Sequence, residues 1–257
     1  MDNDELLRND GPPLEFRLGS RLVVAEKAEL LDPTRTIYRL DLKRPPLLVA
    51  LIQAVVSLCP WMNVPWPWFL PPTVILKKRK DGWEEEFEKE KQAYDVLKPI
   101  QGTIVPQFYG EAVYDGSPTL VLSFIDGKTL FDLWRDRVQR YTAVQEAFLD
   151  EVTTSPAPED CLRELLEEAL RPLTSYGVHY TDTKLDNFLI KDDGRVMVVD
   201  LEQVELDTTP IWEESVNSAN VDSLIETLRM MRQYSSRTAA RVRQSQQNVH
   251  SASPVGS

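Results

Sequence analysis

Cysteine is nearly missing from this chain: Cys59 and Cys161 are too few and too far apart for a disulfide framework or a zinc site, which makes a reducing compartment the default. Histidine occurs twice, at His179 and His250. The ten glycines nowhere form a G-x-G-x-x-G phosphate loop; "RLGSRL" holds the only glycine of the first strand region, Gly19. Positive charge is also short, with 29 Lys and Arg against 41 Asp and Glu and a formal charge of -12. That balance argues against nonspecific binding to nucleic acid or anionic lipid, although a few local cations can still hold a nucleotide. The opening "MDNDELLRND" is acidic and lacks the basic start and apolar core of a signal peptide, so a cytoplasmic protein is expected.

What is present fits a globular protein of 257 residues, with 42% hydrophobic content and room for one large core or a pair of small lobes. One run stands apart. Residues 45–72, "PPLLVALIQAVVSLCPWMNVPWPWFLPP", carry no charge. The mainly apolar part, Leu47 to Cys59, has 13 residues, shorter than the roughly 20 a spanning helix needs, and Pro60, Pro65 and Pro67 break any helix beyond it. A surface insertion touching a membrane or partner, a buried excursion and a retained intron stay open as readings, and the run is left out of the functional argument.

Around it, punctuation and periodicity define the elements. "RLVVAEKAELL", "RTIYRLDL" and "TVILKK" read as strands. "DGWEEEFEKEKQAYDVLKPI" reads as an amphipathic helix opened by Asp81 and closed before Pro99, and "IVPQFYGEAVYDGSPTLVLSFIDG" gives two more strands about an Asp115-Gly116 turn. The second half is different. "KTLFDLWRDRVQRY" and "EDCLRELLEEALRPLTSYG" have leucines at helical spacing, the latter capped at Gly177 unless Pro172 kinks it earlier. "NFLIKD" and "RVMVVD" form a hairpin through Asp192-Asp193-Gly194, one helix starts near Asn220, and the polar segment from Ser235 reads as disordered.

Helical phase sharpens one pair. At about 100° per residue, Phe87, Ala93, Tyr94 and Leu97 share a side of the first helix and Glu90 falls within that arc. A buried carboxylate needs a cation, and Lys77 at the end of "VILK" is the logical one, with Lys78 and Glu86 as alternates; Glu84, Glu85 and Glu88 read as solvated.

The motifs together carry a resemblance. "HYTDTKLDNFLI" resembles the protein kinase catalytic loop H-R-D-x-x-x-x-N, "VMVVDLE" the segment around D-F-G, and "VILK" the strand pattern V-A-I-K. The resemblance is to compact kinase-like proteins of fungi, over about Phe16 to Tyr234 with the apolar run set aside. The resemblance implies an α+β, bilobal protein-kinase-like fold: a small antiparallel β N-lobe with one helix, and a truncated, mainly helical C-lobe. The domain would span 14–234, with the N-lobe at 14–124 including the insertion 45–72 and the C-lobe at 128–234, between a flexible N-terminus 1–13 and a disordered tail 235–257.

It also implies an ATP- and Mg²⁺-dependent phosphotransferase, acting as a monomer on a hydroxyl-bearing protein or small molecule. Asp182 would orient the acceptor hydroxyl and Lys184 would reach the transferred phosphate. Asn187 and Asp200 would hold Mg²⁺, a hard cation that prefers oxygen ligands. Lys77 with Glu90 would bind ATP, and Ser123, Phe124, Ile125 and Asp126 would form the connector, with backbone groups from Ser123 to Ile125 for adenine and Asp126 for ribose. Three departures bear on function. Tyr180 stands where the family has histidine, Leu201 and Glu202 replace the last two residues of D-F-G, and no A-P-E follows. An acidic residue such as Glu202 is similar to the choline and aminoglycoside phosphotransferase branch, and the missing glycine loop keeps a non-catalytic scaffold open.

Overall fold

The computed structural model describes residues 15–32, 37–43, 70–114, 116–135, 157–207 and 211–251. Expectations for 1–13, for most of 45–72 and for the Asp115 end of its turn fall outside them. The chain divides into two compact units, Met1–Asp126 and Gly127–Ser257. Among the described residues, no helix is long and apolar enough to cross a membrane.

The first unit is a closed antiparallel barrel rather than an open sheet. Its strands are β1 (Glu15–Leu18), β2 (Arg21–Asp32), β3 (Ile37–Leu42), β4 (Thr73–Lys78), β5 (Phe108–Tyr114) and β6 (Ser117–Ser123), hydrogen-bonded in the order β1-β2-β3-β4-β6-β5. The sequence reading did not separate out β1, because four residues are too few to show a period. It nevertheless alternates strictly, with Phe16 and Leu18 buried and Glu15 and Arg17 exposed. Pairing of Arg17 with Val113 and Leu18 with Ala112 closes the ring and removes both sheet edges. Leu40, Val74, Leu76 and Val121 fill the interior with Phe16 and Leu18.

Helix α1 (Glu84–Val96) follows β4. Its cap is Trp83 rather than the expected Asp81 and makes no side-chain bond, while Glu84, Glu85 and Glu86 place negative charge in the first turn, where the helix dipole favours it. Pro99 lies in a short 3-10 turn, Lys98–Ile100, beyond the helix end.

The second unit begins with a close approach. A Cβ on Gly127 would sit 2.8 Å from the Ile190 carbonyl oxygen, so only glycine lets the chain enter β7 (Lys128–Thr129) beside its partner strand. A helical stretch is described at 130–135. Helix α2 (Ala157–Ser175) buries Leu166, Leu170 and Leu173, continues past Pro172, and stops at Gly177, whose φ of 70° lets its N–H donate to the Thr174 carbonyl at 2.9 Å. Strands β8 (Val178–Tyr180), β9 (Phe188–Ile190), β10 (Val196–Val198) and β11 (Val204–Leu206) form two small sheets, β10-β9-β7 and β11-β8. In the β9–β10 turn, hydrogen bonds from the Arg195 side chain and amide hold the Asp193 carboxyl down to about 2.

Helix α3 (Val216–Ser251) corrects two expectations: it starts four residues before Asn220, and it runs through most of the segment read as a disordered tail. The physical reason is that 235–251 contains no glycine or proline. Ala, Arg and Gln there propagate a helix already nucleated by the packed turns of Val221, Leu224, Ile225 and Leu228, and the first breaker is Pro254.

Candidate active site

Each unit contributes its own set of groups. In the first, β4 sends Val74 and Leu76 into the barrel, so Lys77 leaves on the outer face, towards α1. Burial of Phe87, Glu90, Ala93 and Tyr94 on one side of α1 presents Glu90 to it. Lys77 Nζ donates to both carboxylate oxygens, at 2.9 and 2.7 Å, with the side chains only 5% and 1% exposed. Of the alternates, Lys78 turns the other way, its ammonium 5.7 Å from the Tyr114 ring, and Glu86 is half-buried; Glu84, Glu85 and Glu88 are exposed.

The connector begins at Ser123. This residue is the end of β6, and its N–H donates to the Gln107 carbonyl at 2.8 Å while its Oγ accepts from the Gln107 N–H at 2.9 Å. Both groups serve the turn into β5. Phe124 and Ile125 are half-buried and Asp126 is exposed. The Arg39 guanidinium lies over the Phe124 ring, 4.2 Å from its centroid.

In the second unit the loop after β8 places the other candidates. Asp182 is 8% exposed, and its two oxygens accept from Lys184, Oδ2 from Nζ at 2.8 Å and Oδ1 from the backbone N–H at 3.3 Å. The 3-10 turn Leu185–Asn187 then buries Asn187, whose Nδ2 donates to the Asp182 carbonyl at 3.5 Å. The hairpin returns beside this turn: the Val199 N–H donates to the Asn187 carbonyl at 2.9 Å, which brings Asp200 next to Asn187.

Asp200 is the one non-glycine among the described residues with positive φ, 66°. Its Oδ1 accepts from the Glu202 N–H at 3.3 Å, Leu201 is fully buried, and carboxylate oxygens of Asp200 and Glu202 lie within 4.8 Å of each other. A left-handed carboxylate residue at a strand end is a costly conformation that surrounding contacts must hold. Tyr180 is buried, donating from its hydroxyl to the Val199 carbonyl at 3.3 Å with its ring edge-on to Phe188. His179 is buried too, and its Nε2 has no hydrogen-bond partner among the described residues.

Two residues that sequence reasoning missed hold this loop in place. Asn217 is fully buried in the first turn of α3: its Oδ1 accepts from the Tyr180 N–H at 2.8 Å, and its Nδ2 donates to the Val178 carbonyl at 2.8 Å and to Thr174 Oγ1 at 2.9 Å. Asn220 donates to the Tyr180 carbonyl. The signal was helical phase. Asn217 falls in line with Val221, Leu224 and Leu228, at offsets of four, three and four, so a polar residue occupies the apolar stripe and has to find polar partners inside.

No family model matches the chain, and no curated protein matches it. Among solved structures it is similar to a crystal structure of the Mycobacterium tuberculosis PknI kinase domain in a mutant form, with a TM-score of 0.45 and 11% identity, covering 76% of this chain and 62% of that one. The chain therefore spans less than two thirds of the length of that kinase domain.

Proposed function

We propose that the chain is a protein-kinase-like phosphotransferase that uses ATP and Mg²⁺ to move a γ-phosphoryl group onto a hydroxyl acceptor. The observation that carries the reading is the arrangement in the second unit. One backbone bond, Val199 N–H to the Asn187 carbonyl, ties the strand that leads into Asp200 to the turn that carries Asn187, and Asp182 in the same loop is held by Lys184. Phosphoryl transfer asks little covalent chemistry of a protein; it asks for orientation and for charge where the phosphates lie.

The donor set fits a hard divalent cation. Asn187 turns its amide nitrogen to the Asp182 carbonyl, which leaves Oδ1 as its ligand atom, and the carboxylates of Asp200 and Glu202 add further oxygens. Bound there, Mg²⁺ would neutralise phosphate charge. Asp182, held by Lys184, would orient the acceptor hydroxyl and take its proton, and Lys184 would meet the transferred phosphate. In the first unit Glu90 fixes the Lys77 ammonium as a point charge for the nucleotide phosphates. Phe124, Ile125 and Asp126 are retained as connector residues.

A small-molecule acceptor is the second reading, favoured by Glu202, whose carboxylate stands near Asp200 where the family's glycine would leave space. Thermal shift with Mg·ATP tests the main proposal: the parent chain should be stabilised, and Asp200→Ala should lose the shift. A parent chain that shows none would move the reading to a non-catalytic scaffold. Phosphotransfer to a panel of hydroxyl metabolites set against mixed proteins separates the two acceptor classes.

A further inference from the structure

We infer that Arg39 is a further ligand-binding cation, one that donates to the phosphate of a nucleotide and supplies positive charge in a chain without a glycine-rich loop. The inference rests on the phosphotransferase reading and adds a residue to it.

Register places Arg39 on the working face. Arg39 pairs with Ile75, and Ile37 with Lys77, so Arg39, Ile75 and Lys77 leave the barrel on the same side. Arg39 and Lys77 are diagonal neighbours, about 7–8 Å apart, a span the long arginine side chain covers.

The guanidinium is fixed but under-satisfied. Phe124 gives it an aromatic neighbour, 4.2 Å from ring centroid to Cζ, a contact that favours a cation. The carboxylate paired with it, on Glu29, is 3.9 Å away, and both side chains are partly exposed, at 37% and 45%. That distance is too long for a hydrogen bond and the pair is weak. Nε is buried and has no acceptor among the described residues. Lys77, a cation on the same face, shares its ammonium with both oxygens of Glu90, so Arg39 would add charge beside it. A guanidinium beside an aromatic ring, with no carboxylate within hydrogen-bond distance among the described residues, has the fork geometry that pairs with phosphate oxygens.

Titration calorimetry of ADP and of adenosine against the full chain, Arg39→Gln and Arg39→Lys tests this. ADP affinity should fall about tenfold in Arg39→Gln and less in Arg39→Lys, with adenosine affinity and melting temperature unchanged. Equal losses for ADP and adenosine would show that Arg39 acts only by positioning Phe124, and unchanged ADP affinity would show that it touches no phosphate; either overturns the inference. A parent chain that binds neither ligand overturns the phosphotransferase reading itself and this inference with it. A parent chain that binds ADP as well as Arg39→Gln does removes Arg39 alone.

Discussion

Two lysine–carboxylate pairs lie at the heart of the two units, and they are built in opposite ways. Lys77 and Glu90 are 13 residues apart, on a strand and a helix, and both are sealed from water. Lys184 and Asp182 are two residues apart in one loop, and the lysine is 53% exposed. Contact distances are nearly the same, 2.7 and 2.8 Å. Distance therefore says little about what each pair does. The first is a product of the whole barrel and its helix and is coupled to folding. The second is local, and its lysine reaches water, where its charge is screened.

The largest effect should come from splitting the buried pair. Lys77→Met strands the Glu90 carboxylate and should cost about 3–5 kcal/mol in urea denaturation, whereas Lys77→Met with Glu90→Leu should recover most of it. Lys184→Met leaves the largely buried Asp182 carboxylate with only the Lys184 backbone N–H, and because the ammonium is half in water it should cost less than Lys77→Met, about 1–3 kcal/mol; on the phosphotransferase reading it should also remove phosphotransfer. Equal losses at the two lysines would end the distinction between a folding pair and a working pair.

Next in size is the support beneath the loop. Asn217→Ala leaves the buried Tyr180 N–H and Val178 carbonyl without their partner, at about 1–3 kcal/mol for each group left unpaired. Hydrogen exchange at the Tyr180 amide should quicken more than at Leu76 in the barrel. If both amides change alike, the second unit's loop is no less integral to folding than the first unit's pair.

The same contrast explains what could be read from sequence. Strand β4 and the Glu90 face of α1 were legible because period-2 and period-3.6 burial leave a pattern along the chain, and Lys77 and Glu90 inherit their positions from it. The hairpin was legible through its Asp-Gly turn. Closure by β1 was not, since four residues carry no period and the partner, β5, lies some 95 positions away. The bonds between Ser123 and Gln107 were not legible, since a strand's last residue looks the same as a connector's first in the sequence. Asn217 escaped because a motif names the loop and leaves out the helix that holds it. The extension of α3 escaped because polarity was read as disorder, although nothing in 235–251 breaks a helix.

The smallest effect belongs to a third pair, Asp193 with Arg195, which is fully exposed and lies in the β9–β10 turn. Its carboxyl titrates at about 2 against an ordinary 3.8, with the Arg195 hydrogen bonds as the main cause. A depressed folded-state value means the contribution is whole above about 3.8 and is lost as pH falls through about 2. Asp193→Asn keeps an acceptor for the Arg195 N–H but drops the charge, so the urea midpoint of the parent chain should exceed the variant's at neutral pH, and the gap should close towards pH 2. Because water surrounds the pair, added salt should shrink the gap at neutral pH as well. A gap that resists salt would mean this turn is coupled to the buried loop it feeds, and the division between screened and sealed pairs would have to be redrawn.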